Sequence, residues 1–149
     1  MIPPHDPVTH CLPLGIHRAD SWEEIVARFG YSPSRIEKLK GLSNAIWILT
    51  SEFGCGRIFL DGSFIRDDVP VPGDYEVVWD DTGIDLIKCR AKCFTFFKFE
   101  RKQETQKKEF KGEFFPMSFD FGGIAPLDFF QQDNRNKNII NKGIVELIL

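Results

Sequence analysis

The chain has 149 residues, of which 42% are apolar, and its formal net charge is −3. This length predicts one domain, large enough to bury a hydrophobic core. No apolar stretch approaches the ~20 residues that a membrane span requires, and the N-terminus lacks the charged segment and apolar run of a signal peptide. We therefore expect a cytoplasmic protein without a membrane partner.

The four cysteines are scattered along the chain, at positions 11, 55, 89 and 93. Without a secretory signal, such cysteines are expected to be free thiols. No pair has the CxxC spacing that is typical of structural zinc sites, so the sequence argues against zinc.

Residues 1–20 are rich in proline and are interpreted as an extended N-terminal arm, while residues 21–149 are interpreted as a single domain. Ser21 and Glu24 have the spacing of a capping box, in which the serine caps the helix and the glutamate reaches back. This pattern predicts a short helix that ends near Phe29.

A second, longer helix is predicted between Ser32 and Gly54, because Pro33 takes the favoured first helical position and glycine is a natural terminator. Apolar residues recur at helical spacing between these ends, so this helix is expected to pack against a sheet. The apolar run at 57–60 predicts a buried strand, and residues 75–79 predict another.

The C-terminal half of the sequence alternates between strand and helix patterns. It predicts a strand at 93–99, a polar helix at 100–110, a strand at 113–115, a short helix from 126 to 131, a turn-like segment at 133–141 and a terminal strand at 144–149. This order of elements predicts an α/β protein of the α+β type, with a mixed β-sheet packed against helices.

The most informative motif is Gly62-Ser63, which follows the predicted strand at 57–60 and precedes Asp74 and Glu76. Glycine lets the backbone approach a ligand closely, and a helix that starts at Ser63 would direct free N–H groups at a phosphate. Two carboxylates at i and i+2 share one face of a strand, and such a pair can hold Mg²⁺ against a nucleoside triphosphate.

Nucleotidyl transfer normally uses three carboxylates, two at i and i+2 on one strand and a third on a neighbouring strand. Glu113 is the candidate for the third ligand, because it lies in another predicted strand. Asp120 and Asp128 remain alternatives. The predicted metal ligands and catalytic residues are therefore Asp74, Glu76 and Glu113, with Mg²⁺ as the cofactor.

The pattern of Gly62-Ser63 with Asp74-Tyr75-Glu76 resembles the signature of the polymerase-beta-type nucleotidyltransferase superfamily, particularly its minimal, antitoxin-like members. Further segments look like those of a bacterial nucleotidyltransferase-like family: PLGIH at 13–17, LDGSF at 60–64, PGD at 72–74, GEFFP at 112–116, DFFQ at 128–131 and KGI at 142–144. The resemblance covers nearly the whole chain and implies a nucleotidyltransferase-like fold.

The resemblance also implies that the protein binds a nucleoside triphosphate through Gly62 and Ser63 and transfers a nucleoside monophosphate to RNA or protein. The superfamily usually has aspartate where this chain has Glu76, and the extra methylene moves the carboxylate by about 1.5 Å. A catalytically inactive interaction protein, such as a toxin–antitoxin or phage-defence component, is therefore the alternative. No DNA partner is expected.

Residues 88–111 contain nine Lys or Arg against three Glu, whereas the rest of the chain is acidic. Lys107 and Lys108 in this segment can bind phosphate oxygens as point charges, and Lys107 is included among the predicted nucleotide-binding residues. The same pattern is typical of a solvated helix face, and an RNA-binding surface is a further alternative.

Overall fold

The computed structural model of the protein describes residues 1–87, 103–135 and 138–149. The strands are β1 (Gly15–Arg18), β2 (Arg57–Asp61), β3 (Tyr75–Trp79), β4 (Gly112–Pro116), β5 (Gln132–Arg135), β6 (Asn138–Asn141) and β7 (Gly143–Ile148). The helices are α1 (Trp22–Phe29), α2 (Pro33–Phe53), α3 (Gln103–Phe110) and α4 (Pro126–Phe130), and a single 3₁₀ turn spans Ser63–Ile65. The mixed α+β architecture predicted from the sequence is confirmed.

The five-stranded main sheet has the order β1-β7-β2-β3-β4. The outer pairs β1–β7 and β3–β4 are parallel, whereas β2 is antiparallel to both of its neighbours, β7 and β3. As a result, the C-terminal end of β2 and the N-terminal ends of β3, β4 and β7 lie side by side. Strands β5 and β6 form a separate antiparallel pair.

The helix ends follow the predicted caps. The Ser21 side chain accepts a hydrogen bond from the Glu24 backbone N–H, and the Ser32 side chain caps α2 in the same way. Gly54 ends α2 in the left-handed conformation with φ of 67°, which glycine adopts without steric cost. The Glu24 carboxylate reaches back one residue further than predicted, to the backbone N–H of Asp20 at 2.6 Å.

The two faces of the sheet carry separate apolar clusters. Helices α1 and α2 cover the first face, where Ile58 and Leu60 of β2 lie in the main core. The second face has a smaller cluster, which comprises Phe59, Val78, Phe115, Phe130 and Ile144. Because successive strand residues point to opposite faces, β2 and β3 contribute to both clusters.

The structure places strands in two segments where the sequence predicts none. The expected arm 1–20 contains β1, which pairs in parallel with β7 at the edge of the sheet. The segment 133–141 was wrongly predicted to be turn-like, since it contributes most of the antiparallel strands β5 and β6. The predicted strand at 93–99 lies outside the described residues, as does the beginning of the predicted helix at 100–110. Strands β1, β5 and β6 are only four residues long and largely polar, and strand propensity depends strongly on context.

A helix that crosses a bilayer must be both long and apolar. Within residues 1–87, 103–135 and 138–149, no helix combines sufficient length with sufficient apolar character to do so.

Candidate functional site

Gly62 forms the tight turn that follows β2. Its φ of 92° and ψ of −176° belong to a region that only glycine occupies readily. A Cβ atom at this position would lie 3.3 Å from the Glu76 Oε2 atom and 3.4 Å from the Asp74 carbonyl oxygen. Glycine is therefore required both by its backbone conformation and by its close approach to the predicted carboxylate pair. The helix expected to start at Ser63 is a single 3₁₀ turn.

Three carboxylates lie in one row across adjacent strands of the sheet. Asp61 at the end of β2 is the register partner of Glu76 on β3, and Glu76 is in turn the partner of Glu113 on β4. Directly paired residues project from the same face of a sheet, with Cβ atoms about 5 Å apart. The next row on this second face is Phe59, Val78 and Phe115. The row of acids therefore lies on the second face of the sheet, directly beyond this apolar row.

Asp61 is the first functional residue that the sequence analysis missed. It is buried, and its carboxylate forms an ion pair with the Lys142 ammonium at 2.8 Å. Lys142 immediately precedes β7, which places it beside the end of β2. An acid at the end of an otherwise apolar strand, directly before Gly62, was the available signal for Asp61. No local signal indicates that its partner lies 81 residues away.

Glu76 differs from the other acids because its charge is poorly compensated. Within the described residues, no hydrogen bond or ion pair joins its carboxylate to a neighbour, whereas Asp61, Asp74 and Glu113 each contact a lysine ammonium. The pKa of Glu76 is raised to about 7, chiefly by burial, and the neighbouring Asp61 carboxylate contributes more to this rise than the Lys142 ammonium takes away. Glu76 is thus a partly protonated acid at neutral pH, and a cation at this position would favour its ionised form.

Lys107 of α3 connects the other two predicted ligands. Its ammonium lies 2.7 Å from the Glu113 carboxylate and 3.3 Å from the Asp74 carboxylate. The pKa of Lys107 is raised, chiefly by the hydrogen bond to Glu113. The structure therefore brings Lys107 to the predicted site, where it contacts carboxylates that were expected to bind a metal ion.

The alternative third ligands take no part in this cluster. The Asp120 carboxylate accepts a hydrogen bond from the Gly123 backbone N–H and closes a turn. Asp128 is an exposed residue in the first turn of α4. Of the three candidates for the third ligand, Glu113 is the one that is a direct register partner of Glu76. Among the described side chains, however, no three His, Cys, Asp or Glu residues are already grouped closely enough to hold a metal ion.

Arg35 holds the segment that follows the Gly62 turn. It is fully buried on α2, and its guanidinium donates hydrogen bonds to five backbone carbonyl groups, those of Phe29, Ser63, Phe64, Arg66 and Val69. Four of these carbonyls belong to the segment 63–69. The planar guanidinium has five N–H donors in a fixed geometry, which suits this arrangement. No local sequence pattern marks Arg35 as buried, because an arginine in a helix is usually a solvated residue.

The Gly62 turn and three of the four acids line one cavity of about 400 Å³, whereas Glu113 and Lys107 are not among the described residues that line it. Its charged side contains Asp61, Asp74, Glu76 and Lys142, and Ser63 and Arg66 lie at the turn. The opposite side contains Phe129, Phe130 and Gln132. A cavity of this volume, with a few convergent polar groups and an acid of raised pKa, has the properties of a small-molecule binding site.

Residues 3–148 match the model of a protein family that is described as Family of unknown function (DUF6932). The chain belongs to this family. No curated protein and no solved structure shows a significant match to it. Family membership therefore supplies no activity, and the function is inferred from the chemistry of the cavity.

Proposed function

We propose that this DUF6932 protein is a Mg²⁺-dependent nucleotidyltransferase, with a nucleotidyltransferase-like fold, that binds a nucleoside triphosphate in the cavity at the Gly62 turn. The observation that carries the proposal is the row of Asp61, Glu76 and Glu113 beside a turn that only glycine can form. Hard oxygen ligands and a closely approaching backbone are the two requirements for binding a metal–triphosphate complex. The cytoplasm is the compartment proposed for this activity.

Each predicted residue has a role in the proposal. Asp74, Glu76 and Glu113 hold Mg²⁺, and the Ser63 hydroxyl and the turn at Gly62 bind the triphosphate. When bound, Mg²⁺ neutralises the phosphate charge and aligns the attacking hydroxyl with the α-phosphorus. Lys107 is placed to exchange its carboxylate partners for phosphate oxygens, since a lysine side chain is long and flexible. The oxygen donors and the poorly compensated charge of Glu76 suit Mg²⁺, but the three carboxylates would have to come closer together, since no three of the described His, Cys, Asp or Glu side chains are grouped closely enough to hold a metal ion.

The proposed reaction is the transfer of a nucleoside monophosphate to a hydroxyl group of RNA or protein. The acceptor oxygen forms a bond to the α-phosphorus, the bond to the β-phosphate oxygen breaks, and pyrophosphate leaves. The proton of the acceptor hydroxyl passes to solvent. The buried ion pair between Asp61 and Lys142 fixes one side of the cavity during this transfer.

The first test is calorimetry with Mg²⁺ and each of the four nucleoside triphosphates. We expect at least one of them to bind in a Mg²⁺-dependent manner, and we expect Asp74→Asn to weaken this binding at least tenfold. Glu37→Gln is the matched control, because Glu37 is an exposed acid on α2, on the other side of the sheet. The absence of binding with all four nucleotides would contradict the proposal.

The second test follows transfer of the labelled α-phosphate into total cellular RNA or into proteins of a lysate. Label incorporation by the wild type that is lost in Asp74→Asn and retained in Glu37→Gln would support the enzyme. It would also identify whether the acceptor is RNA or protein.

A catalytically inactive interaction protein, of the toxin–antitoxin or phage-defence type, is the second candidate. It is favoured by the position of the Lys107 ammonium, which already compensates the charges of Asp74 and Glu113. This candidate predicts that a lysate partner is retained equally by the wild type and by Asp74→Asn, with no label transfer by either. Loss of label transfer in the variant alone would exclude it.

A further inference from the structure

The cavity has two chemically different sides. One side contains the acids, Lys142 and the Gly62 turn, whereas α4 and the residues after it contribute the aromatic and neutral groups Phe129, Phe130 and Gln132. The charged side accounts for a metal ion and phosphates in the proposed function. The aromatic side has no role in that chemistry, so its composition requires a separate explanation.

Phe129 is exposed although a buried aromatic cluster lies beside it. The side chain is 39% exposed, whereas Phe130 is only 6% exposed and fills the second apolar cluster. The Phe121 ring lies parallel to the Phe129 ring, with centroids 4.1 Å apart and an interplanar angle of 3°. The Phe130 ring meets Phe129 nearly at a right angle, 87°. Two neighbouring rings therefore fix the orientation of Phe129, and its accessible surface contributes to the cavity.

A fixed aromatic ring with an accessible surface is a stacking platform for a planar ligand. Stacking on an aromatic side chain is a general way to hold a nucleobase, because every base has a π-face. Gln132, which follows α4, is exposed and lines the same cavity. Its carboxamide has both donors and an acceptor, so it can form hydrogen bonds with the edge of a base.

We propose that Phe129 stacks on the base of the bound nucleoside triphosphate and that Gln132 contacts the base edge and selects among bases. This inference rests on the proposed function, since it assumes that the phosphates occupy the charged side. The base then lies at the aromatic side of a cavity of about 400 Å³, whose two sides match the two ends of a nucleotide.

The test separates the base from the phosphates by comparing two ligands, ATP and inorganic tripolyphosphate, each with Mg²⁺. Calorimetry is carried out on the wild type, Phe129→Leu and Phe129→Tyr. We expect Phe129→Leu to lose roughly 10- to 100-fold in affinity for ATP and to keep its affinity for tripolyphosphate. Phe129→Tyr retains an aromatic ring, so its affinity for ATP stays within about threefold of the wild type.

The control for lost apolar surface is Ile124→Ala. Ile124 is 41% exposed in the segment before α4 but does not line the cavity. Ile124→Ala should therefore leave the affinities for ATP and for tripolyphosphate unchanged. Urea unfolding of every variant checks that the fold is retained.

The role of Gln132 is tested by the relative affinities for the four nucleotides. Gln132→Leu is expected to change the order or spacing of these affinities by at least fivefold. The Gln131 side chain donates a hydrogen bond to the Leu127 carbonyl. Gln131→Leu is therefore the control and should leave the relative affinities for the four nucleotides unchanged. An equal change for all four nucleotides would overturn the assignment of Gln132.

The outcomes distinguish this inference from the proposed function. If tripolyphosphate and ATP bind to the wild type and Phe129→Leu leaves both unchanged, the stacking platform is overturned and the proposed function stands. An equal loss for both ligands in Phe129→Leu also overturns the platform, because it indicates a general effect on the cavity. If neither tripolyphosphate nor any of the four nucleoside triphosphates binds to the wild type, both proposals fail.

Discussion

The two faces of the main sheet are built from the same strands but have different contents. On the face covered by α1 and α2, strands β2 and β3 contribute apolar side chains such as Leu60 and Val77 to the main core. On the other face, the residues next to these in sequence are Asp61 and Glu76. The twofold alternation of a strand thus lets a single segment contribute to stability and to a charged cavity. Substitutions on the first face should therefore lower the stability of the protein. Substitutions at the acids of the second face should change ligand binding and the pH dependence of stability.

The largest loss of stability is expected for substitution of Arg35, a residue that connects the two faces. Arg35 belongs to α2 of the first face, but its guanidinium holds the segment that begins at Ser63 on the edge of the cavity. Arg35→Met removes the guanidinium donor from five carbonyl groups, of which those of Ser63, Arg66 and Val69 keep a second donor. We expect the free energy of unfolding to fall by about 5 kcal/mol, because several hydrogen bonds to a buried charged group are lost. Urea denaturation measures this loss. Lys40→Met, at an exposed lysine of the same helix, should change the stability by less than about 0.5 kcal/mol.

A core truncation on the first face tests whether that face serves stability alone. Leu42 is fully buried in α2, so Leu42→Ala is expected to lower the free energy of unfolding by about 4 kcal/mol through lost burial and a cavity. Ile36→Ala, at a residue of the same helix that is 45% exposed, should cost much less. Nucleotide affinity, measured on the folded fraction, should be the same in both variants. A selective loss of affinity in Leu42→Ala would show that the two faces are not independent.

On the second face, Glu76→Gln should change the pH dependence of stability. The pKa of Glu76 is raised from its ordinary 4.5 to about 7, so the folded protein retains a proton that the unfolded chain has already lost. The free energy of unfolding of the wild type therefore falls as the pH rises from 4.5 to about 7. Glu76→Gln removes this dependence, which makes the variant more stable by about 3 kcal/mol at pH 8 and nearly equal at pH 4.

Urea denaturation across this pH range, with Mg²⁺ absent, measures the effect of Glu76→Gln. Glu37→Gln again provides the control at an exposed acid and should follow the wild-type curve. Parallel curves for the wild type and Glu76→Gln would show that Glu76 has an ordinary pKa. The same raised pKa predicts that Mg²⁺ affinity increases as the pH rises towards 7, because protons and the cation compete for Glu76.

The smallest effect on stability is expected for Lys107→Met. The Lys107 side chain is 45% exposed, so loss of its contacts with Asp74 and Glu113 should cost roughly 1 kcal/mol or less. Mg²⁺ affinity should rise severalfold, because a competing cation has been removed from two of the proposed ligands. Lys108→Met, at the neighbouring exposed lysine, is the matched control for calorimetry. If Lys107→Met leaves the Mg²⁺ affinity unchanged, Asp74 and Glu113 are not Mg²⁺ ligands.

The features that could be predicted from the amino-acid sequence are those that local chemistry controls. Ser21 and Ser32 cap their helices because a hydroxyl group can bond the free N–H groups two or three residues later, and Gly54 ends α2 because it adopts a positive φ. The turn at Gly62 and the strands on either side of it were predictable for the same reason. Glu113 was also placed correctly on a strand that neighbours Glu76.

Contacts between residues that are distant in sequence could not be predicted, because they arise from the packing of the whole chain. The Asp61–Lys142 ion pair joins residues 81 positions apart, and the pairing of β1 with β7 joins the two ends of the described chain. Neither is encoded by a local pattern, because strand register and partner choice depend on how the whole sheet packs. The exposure of Phe129 beside the buried Phe130 has the same origin. Consecutive phenylalanines have the same local preferences, and only their neighbours in space distinguish a core residue from a surface that lines the cavity.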